Sequence, residues 1–345
     1  MTREALIRRD FRKGMHLLEV GASYNPVLPK RDGWNTTVVD HATAEELRQK
    51  YAGLEEDVVQ RIEPVDFIWK DGPLSEVVPM QMRGSFDGIV ASHVIEHFPD
   101  LLAFFEAATV LLKPDGVMAL AIPDKRACFD FFLPLTMTGD VLAAHLEKRT
   151  RHPLRTLYNQ AAYEVLRNGR LGWEHGDTTT PFALMRPFAV ARQTFEVARQ
   201  NTQREYQDSH TWAFTPASFE LILLELNLLG ETDWAIQSAQ PAASVEFYAW
   251  LRRGPIRLAD DEIDKRRFDL LVRIMAEVGT QLTQMSTQPA RTETTSAEGV
   301  VPDLAAQVAR HEARLTALEA FSTRLASLLA PARRLSRALH LRSRT

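Results

Sequence analysis

The chain is expected to fold as an α/β protein around a doubly wound parallel sheet with helices on both faces. Three observations predict this. The stretch Phe86–Asp124 reads as strand, polar turn, amphipathic helix, Lys-Pro-Asp-Gly turn and strand. Two short apolar strands, Met15–Val20 and Thr36–Val39, precede it. Ionisable side chains gather just after these strands, where an open α/β sheet takes its ligands.

The elements follow in order. Met15–Val20 runs into Glu19-Val-Gly21-Ala-Ser23-Tyr-Asn25-Pro26, and Thr36–Val39 ends at Asp40. Twenty-one positions separate Glu19 from Asp40, the spacing that sets an acid on a ribose in a nucleotide-binding βαβ unit. Gly21 stands alone, with Ser23 where a dinucleotide loop needs its second glycine. Such a loop suits a ribose ligand without phosphates, which argues for S-adenosylmethionine and against NAD. Phe86–Ser92 is the next strand, ending in His93, Glu96 and His97. The helix Asp100–Leu112 carries a broad apolar face, Pro114 and Gly116 stop it, and Val117–Ile122 suits a buried parallel strand.

These residues resemble the class I SAM-dependent methyltransferases. LLEVGAS matches the first loop, VVDH the ribose acid, and VDFIWKDGPL the adenine-side strand and turn; FDGIVASHVIEHFPDL and LLKPDGVMALAIPD match strands four and five. The resemblance covers residues 10–130. HTWAFTPASFELILLELNLLG and VEFYAWLRR look like the last helix and hairpin of the same Rossmann-like fold. At subfamily level the pattern resembles methyltransferase domains of bacterial surface-polysaccharide synthesis. The resemblance implies S-adenosylmethionine as cofactor, contacted by Glu19, Gly21, Ser23, Asp40, His41, Asp71, Gly72, Ser92 and His93. Glu19 is also suited to ordering the first loop. Pro26 and Pro29 depart from the pattern by excluding a helix directly after strand one.

Residues 129–209 form an insertion, rich in Arg, His, Tyr and Trp, expected to be largely helical and to cover the site. It holds Tyr158, Tyr163, Trp173, Glu174, His175, Asp177 and Arg186, a composition that suits a sugar or phosphosugar and equally an ordinary surface lid. An alcohol acceptor must lose its proton, and histidine suits that role near neutral pH. His97, His175 and His210 are the candidates, and the sequence leaves the choice open. A phosphate acceptor needs positive charge instead, for which Arg186 is available.

His93-Val-Ile-Glu96-His97 also matches the inverted zinc-protease motif. Pro99 limits any helix there to one turn, so no metal site is expected. His97 can equally be a packed histidine.

Composition bounds the rest. The chain has 345 residues, 45% hydrophobic, with a net charge of −4 and one cysteine, Cys128. That supports a sizeable core and gives no reason to expect nucleic acid. A lone cysteine excludes an internal disulfide and fits a reducing cytoplasm. The charged start MTREALIRRDFRKG does not read as a signal peptide, and no apolar run reaches membrane-spanning length.

The expected organisation is a catalytic domain over 1–254, a helical extension over 255–285, a disordered linker over 286–300 and a coiled-coil-like helix over 301–345. Leu304, Val308, Leu315, Leu318, Leu325 and Leu329 give that tail a heptad-like pattern, and five arginines close it. The tail suggests self-association, contact with a glycosyltransferase, or peripheral contact with the inner face of the membrane. A second function class is a non-catalytic scaffold of the same fold acting through this tail. The presence of Gly21, Asp40 and Asp71 speaks against it.

Overall fold

The computed structural model describes residues 2–70, 72–177, 180–200, 206–241 and 244–286. Its strands are β1 (Leu17–Val20), β2 (Thr36–Asp40), β3 (Phe67–Ile68), β4 (Phe86–Ser92), β5 (Leu112–Pro123), β6 (Val165–Arg167), β7 (Phe182–Leu184), β8 (Trp234–Pro241) and β9 (Glu246–Arg253). The helices are α1 (Arg3–Ile7), α2 (Ala44–Lys50), α3 (Glu56–Val59), α4 (Leu74–Val77), α5 (Leu101–Leu111), α6 (Thr138–Leu146), α7 (Leu154–Tyr163), α8 (Phe188–Gln200), α9 (Pro216–Leu229) and α10 (Asp260–Ser286).

Seven strands make one sheet in the order β3-β2-β1-β4-β5-β9-β8. The first five run parallel, while β9 is antiparallel to both β5 and β8. Strand order reverses between β1 and β4, the topological switch point at which such sheets bind ligands. β1 is buried along its whole length and β4 over Gly88–Ala91, because both faces of the sheet are covered there, with Glu19 the one ionisable side chain in that stretch.

The two faces are covered unequally. One packs α4, α5 and α9 against Leu18, Ile89, Met118 and Leu120. The other is closed by Ile7 of α1, Phe11 and the loop residues Val27 and Leu28. The prolines at 26 and 29 account for this, since the segment after β1 forms only a single 3-10 turn, Lys30–Asp32.

Helix α5 starts where Asp100 accepts a hydrogen bond from the Ala103 N–H at 3.2 Å. Its end differs from expectation. The Lys113-Pro114-Asp115-Gly116 segment is not a free turn but a bulge inside β5, between the pairs Phe86↔Leu112 and Gly88↔Val117.

The insertion contains α6, α7 and α8, and also a two-stranded sheet of β6 and β7 that helical periodicity did not reveal. Phe131, Val165 and Trp173 form its own small core. Helix α9 begins at Thr215, with Pro216 in its first turn, and ends at Gly230, whose φ of 78° supplies the left-handed cap. It packs against α10 through Leu221, Leu224, Leu270 and Ile274. No helix among the described residues is long and apolar enough to cross a membrane. The linker over 286–300 and the heptad segment lie outside the described residues, apart from Ser286 at the end of α10.

Candidate active site

Loops after β1, β2 and β4 converge at the switch point. Gly21 follows β1 at φ 70°, and an added Cβ would stand 2.6 Å from Val94 Cγ2, so the β1 and β4 loops meet with no room for a side chain. Glu19 is buried, and its carboxylate accepts the N–H groups of Val27 at 2.6 Å and Leu28 at 2.9 Å. Burial raises Glu19 to about 7 even against those two hydrogen bonds. Glu19 therefore spends both oxygens holding the proline-rich loop, where the resemblance implied cofactor contact. Asp40 is also spoken for. One oxygen accepts Ser23 N–H at 2.8 Å, while the other accepts His41 N–H at 2.7 Å and lies 2.7 Å from His41 Nδ1. Its side chain is only 1% exposed, so a ribose must share or displace these contacts.

A second assembly sits at the end of β4. His93, at φ 54°, places Nε2 2.9 Å from Glu246 Oε2 at the start of β9. Arg3 of α1 donates to both Glu246 oxygens, at 2.6 and 2.8 Å, and to Ser92 Oγ at 2.6 Å. Tyr248 donates to Glu246 Oε1 at 2.6 Å. Burial opposes the charge on Glu246, but the donors from His93, Arg3 and Tyr248 outweigh it and hold this carboxyl down at about 2.

The third assembly joins the β4 loop to the end of the insertion. Thr211 N–H donates to Glu96 O at 2.7 Å and Trp212 Nε1 donates to Phe98 O at 2.7 Å, which docks the 209–212 segment on the β4 loop. His97 and His210 meet edge to face with ring centroids 4.5 Å apart. His210 Nδ1 lies 2.7 Å from Asp130 Oδ2, and His97 Nδ1 lies 2.8 Å from Asp208 Oδ1 in an off-line ion-pair contact. Burial disfavours charge on His210, but the carboxylates of Asp130, Glu96 and Glu164 outweigh it and push His210 up to about 9. Next to these rings is a cavity of about 200 Å³ lined by Phe129, Gln160, Glu164, Met185, Arg186 and Ser209 among others. Arg186 and Glu164 are paired within it. A larger cavity of about 520 Å³ between α9, α10 and β8 holds Arg266 and Arg273 already paired with Glu220, and no residue of the β1, β2 or β4 loops lines it.

The structure thus brings Ser92 and His93 together at β4, and Gly21, Ser23, Asp40 and His41 at β1 and β2. His97 is joined to His210, whereas His175 is elsewhere, with Nε2 3.3 Å from Asp124 Oδ2. Gly72, at φ 77°, accepts from Trp69 Nε1 at 2.9 Å beyond β3, and Asp71 lies outside the described residues. The sequence reading missed Arg3, Glu246, Asp130 and Asp208. An acid opening the apolar strand VEFYAWLRR was the signal for Glu246, and nothing local marked the others.

The residues fit a cofactor with a ribose and a charged amino-acid end. Ser23 Oγ in the β1 loop and Arg3 Nη1 on α1 are buried polar atoms with no hydrogen-bond partner among the described residues. A family model described as a methyltransferase domain matches residues 3–191, more than half of the chain. The chain belongs to that methyltransferase family, and its cofactor is S-adenosylmethionine.

No curated protein matches the sequence. Among solved structures, a putative Zn-dependent alcohol dehydrogenase from Rhodobacter sphaeroides is 11% identical, covering 72% of this chain and 88% of its own at a TM-score of 0.38. The CcbJ methyltransferase from Streptomyces caelestis is 12% identical, covering 73% and 94% at 0.36. The Burkholderia thailandensis 1,6-didemethyltoxoflavin-N1-methyltransferase is 14% identical, covering 73% and 76% at 0.35. At such values these likenesses carry no argument about chemistry.

Proposed function

We propose that the protein is an S-adenosylmethionine-dependent O-methyltransferase acting on a sugar or phosphosugar of surface-glycan synthesis. The observation that carries the reading is the pairing of two adjacent sites: the loops of β1, β2 and β4, and the polar cavity beside His97 and His210. The bound cofactor supplies an electrophilic methyl on a sulfonium that is already a good leaving group. The chain's own residues bind and align. Asp40 meets the ribose hydroxyls, and Arg3 Nη1 takes the carboxylate of the methionine end. His93, held by Glu246, borders that end. Aligning an acceptor oxygen with the methyl can supply roughly 7–11 kcal/mol of the barrier.

The acceptor's proton leaves toward His97, which lines the cavity, rather than toward His175. Gln160, Ser209 and the Arg186–Glu164 pair offer the hydroxyl- and phosphate-binding groups a sugar needs. Methyl transfer from labelled cofactor to a panel of free, nucleotide-linked and lipid-linked sugars tests the acceptor class. Transfer to none of them, by protein that binds the cofactor, refutes it.

The scaffold reading is kept alive by one observation, the near-complete burial of the Asp40 side chain. It predicts a folded protein without cofactor affinity. The five terminal arginines support contact with anionic lipid at the inner face of the membrane. Salt-sensitive co-sedimentation of the full chain with phosphatidylserine vesicles, lost on truncation after 286, is the expected result. Equal sedimentation of both forms refutes it.

A further inference from the structure

Glu96 is fully buried, and neither of its carboxylate oxygens has a hydrogen-bond partner among the described residues. A buried carboxylate that accepts no hydrogen bond is costly, and such groups are ordinarily hydrogen-bonded or bound to a cation. Around it stand imidazole nitrogens at a separation too long for hydrogen bonds. Glu96 Oε1 is 3.8 Å from His97 Nε2 and 3.9 Å from His210 Nε2. The ligand atoms of Glu96, His97 and His210 all lie within 4.8 Å of one another. Two metal–ligand bonds of about 2.0–2.2 Å each span roughly 4 Å, so one ion reaches the carboxylate oxygen and either nitrogen with little closing of the cluster.

The histidines are also dressed for this role. Each has its Nδ1 against a carboxylate, Asp130 for His210 at 2.7 Å and Asp208 for His97 at 2.8 Å. Both Nε2 atoms are thereby turned toward Glu96, and at His210, whose Nδ1 is hydrogen-bonded to Asp130, this is the outer-shell pattern of metal-bound histidine. The alternative, a set of ordinary packed histidines, leaves the Glu96 oxygens facing imidazole nitrogens at 3.8–3.9 Å with no hydrogen bond to either oxygen.

We propose that Glu96, His97 and His210 bind a divalent transition-metal ion such as zinc or cobalt. Two imidazoles and one carboxylate favour these ions over magnesium or calcium. His97 and His210 also line the 200 Å³ cavity, so the ion's remaining positions open toward it and can take an acceptor oxygen. The role, though not the site itself, rests on the acceptor reading above. Asp130 and Asp208 are positioning residues.

The test is cobalt titration of chelator-stripped full-length protein, read by visible d–d absorption and by metal content after dialysis, with no cofactor or acceptor present. One equivalent of cobalt, displaced by zinc, is expected for the wild type and for His145→Ala, a control histidine on α6 paired with Asp100 at the start of α5. Glu96→Gln, His97→Ala and His210→Ala, each checked for folding by circular dichroism, are expected to lose the bands. Asp130→Asn is expected to weaken affinity about 10–100-fold. Folded wild type that takes up no stoichiometric cobalt overturns the proposal, as do bands retained in folded Glu96→Gln. Either result leaves cofactor binding and methyl transfer standing, because those are measured separately.

Discussion

Replacing Glu246 with Gln tests whether the clamp at the end of β4 is electrostatic. The side chain is 3% exposed and holds Arg3, His93 and Tyr248 at once. Its carboxyl is held at about 2 against an ordinary 4.5, a difference of 2.5, and 1.36 kcal/mol for each such step gives about 3 kcal/mol. A pair with both partners fully buried would cost more, about 3–5 kcal/mol, when broken. Here Arg3 and His93 are 26% and 38% exposed and can rehydrate, which keeps the cost near the lower figure. Because the folded-state value is depressed, this stability is present above 4.5 and is lost as pH falls through about 2. Urea unfolding of wild type and Glu246→Gln across that window reads the difference directly. We expect about 3 kcal/mol at neutral pH, shrinking toward acid. A loss under about 0.5 kcal/mol, typical of exposed pairs, or one that does not change with pH, refutes the reasoning.

Gly21→Ala combines a positive φ with a 2.6 Å approach to Val94, so we expect about 1–3 kcal/mol of destabilisation and weaker S-adenosylhomocysteine binding; an unchanged melting temperature contradicts the loop geometry. Glu19 is raised to about 7, so between 4.5 and 7 the unfolded chain has released this proton while the folded chain keeps it. Wild type therefore loses stability relative to Glu19→Gln as pH rises through that window, by roughly 3 kcal/mol, and parallel pH profiles of the two proteins count against it. In metal-free protein, Asp130→Asn removes the main charge that raises His210. Its proton NMR titration is then expected to move down from about 9, and the stability contributed below 6.5 and lost through about 9 is expected to shrink; an unmoved titration refutes the Asp130–His210 pair.

Much of the sheet was legible because parallel strands buried on both faces leave short apolar runs between polar turns. Leu17–Val20, Thr36–Asp40 and Phe86–Ser92 are such runs. The displaced helix after β1 was legible from Pro26 and Pro29. The small β6–β7 sheet was not, since three-residue strands carry too little periodicity to separate from a helical lid. The site was legible only where chemistry and backbone share a local motif. Gly21, Asp40 and His93 announce themselves by position after a strand. Arg3 and Glu246 are 243 residues apart and meet only because β9 inserts beside β5 while α1 folds back over the same face. Glu96 and His97 were visible as a motif, but the third member, His210, and its partner Asp130 are brought in by the insertion. The one-turn limit set by Pro99 bears on a helix-borne metal motif and not on ligands drawn from two segments.

The central claim is that the loops of β1, β2 and β4 bind S-adenosylmethionine. Calorimetric titration of the full chain with S-adenosylmethionine and S-adenosylhomocysteine, beside Asp40→Asn and Asp40→Ala, tests it most directly. One micromolar site per chain, lost in both variants while circular dichroism shows them folded, is the predicted result. Correctly folded wild type that binds neither compound would contradict it.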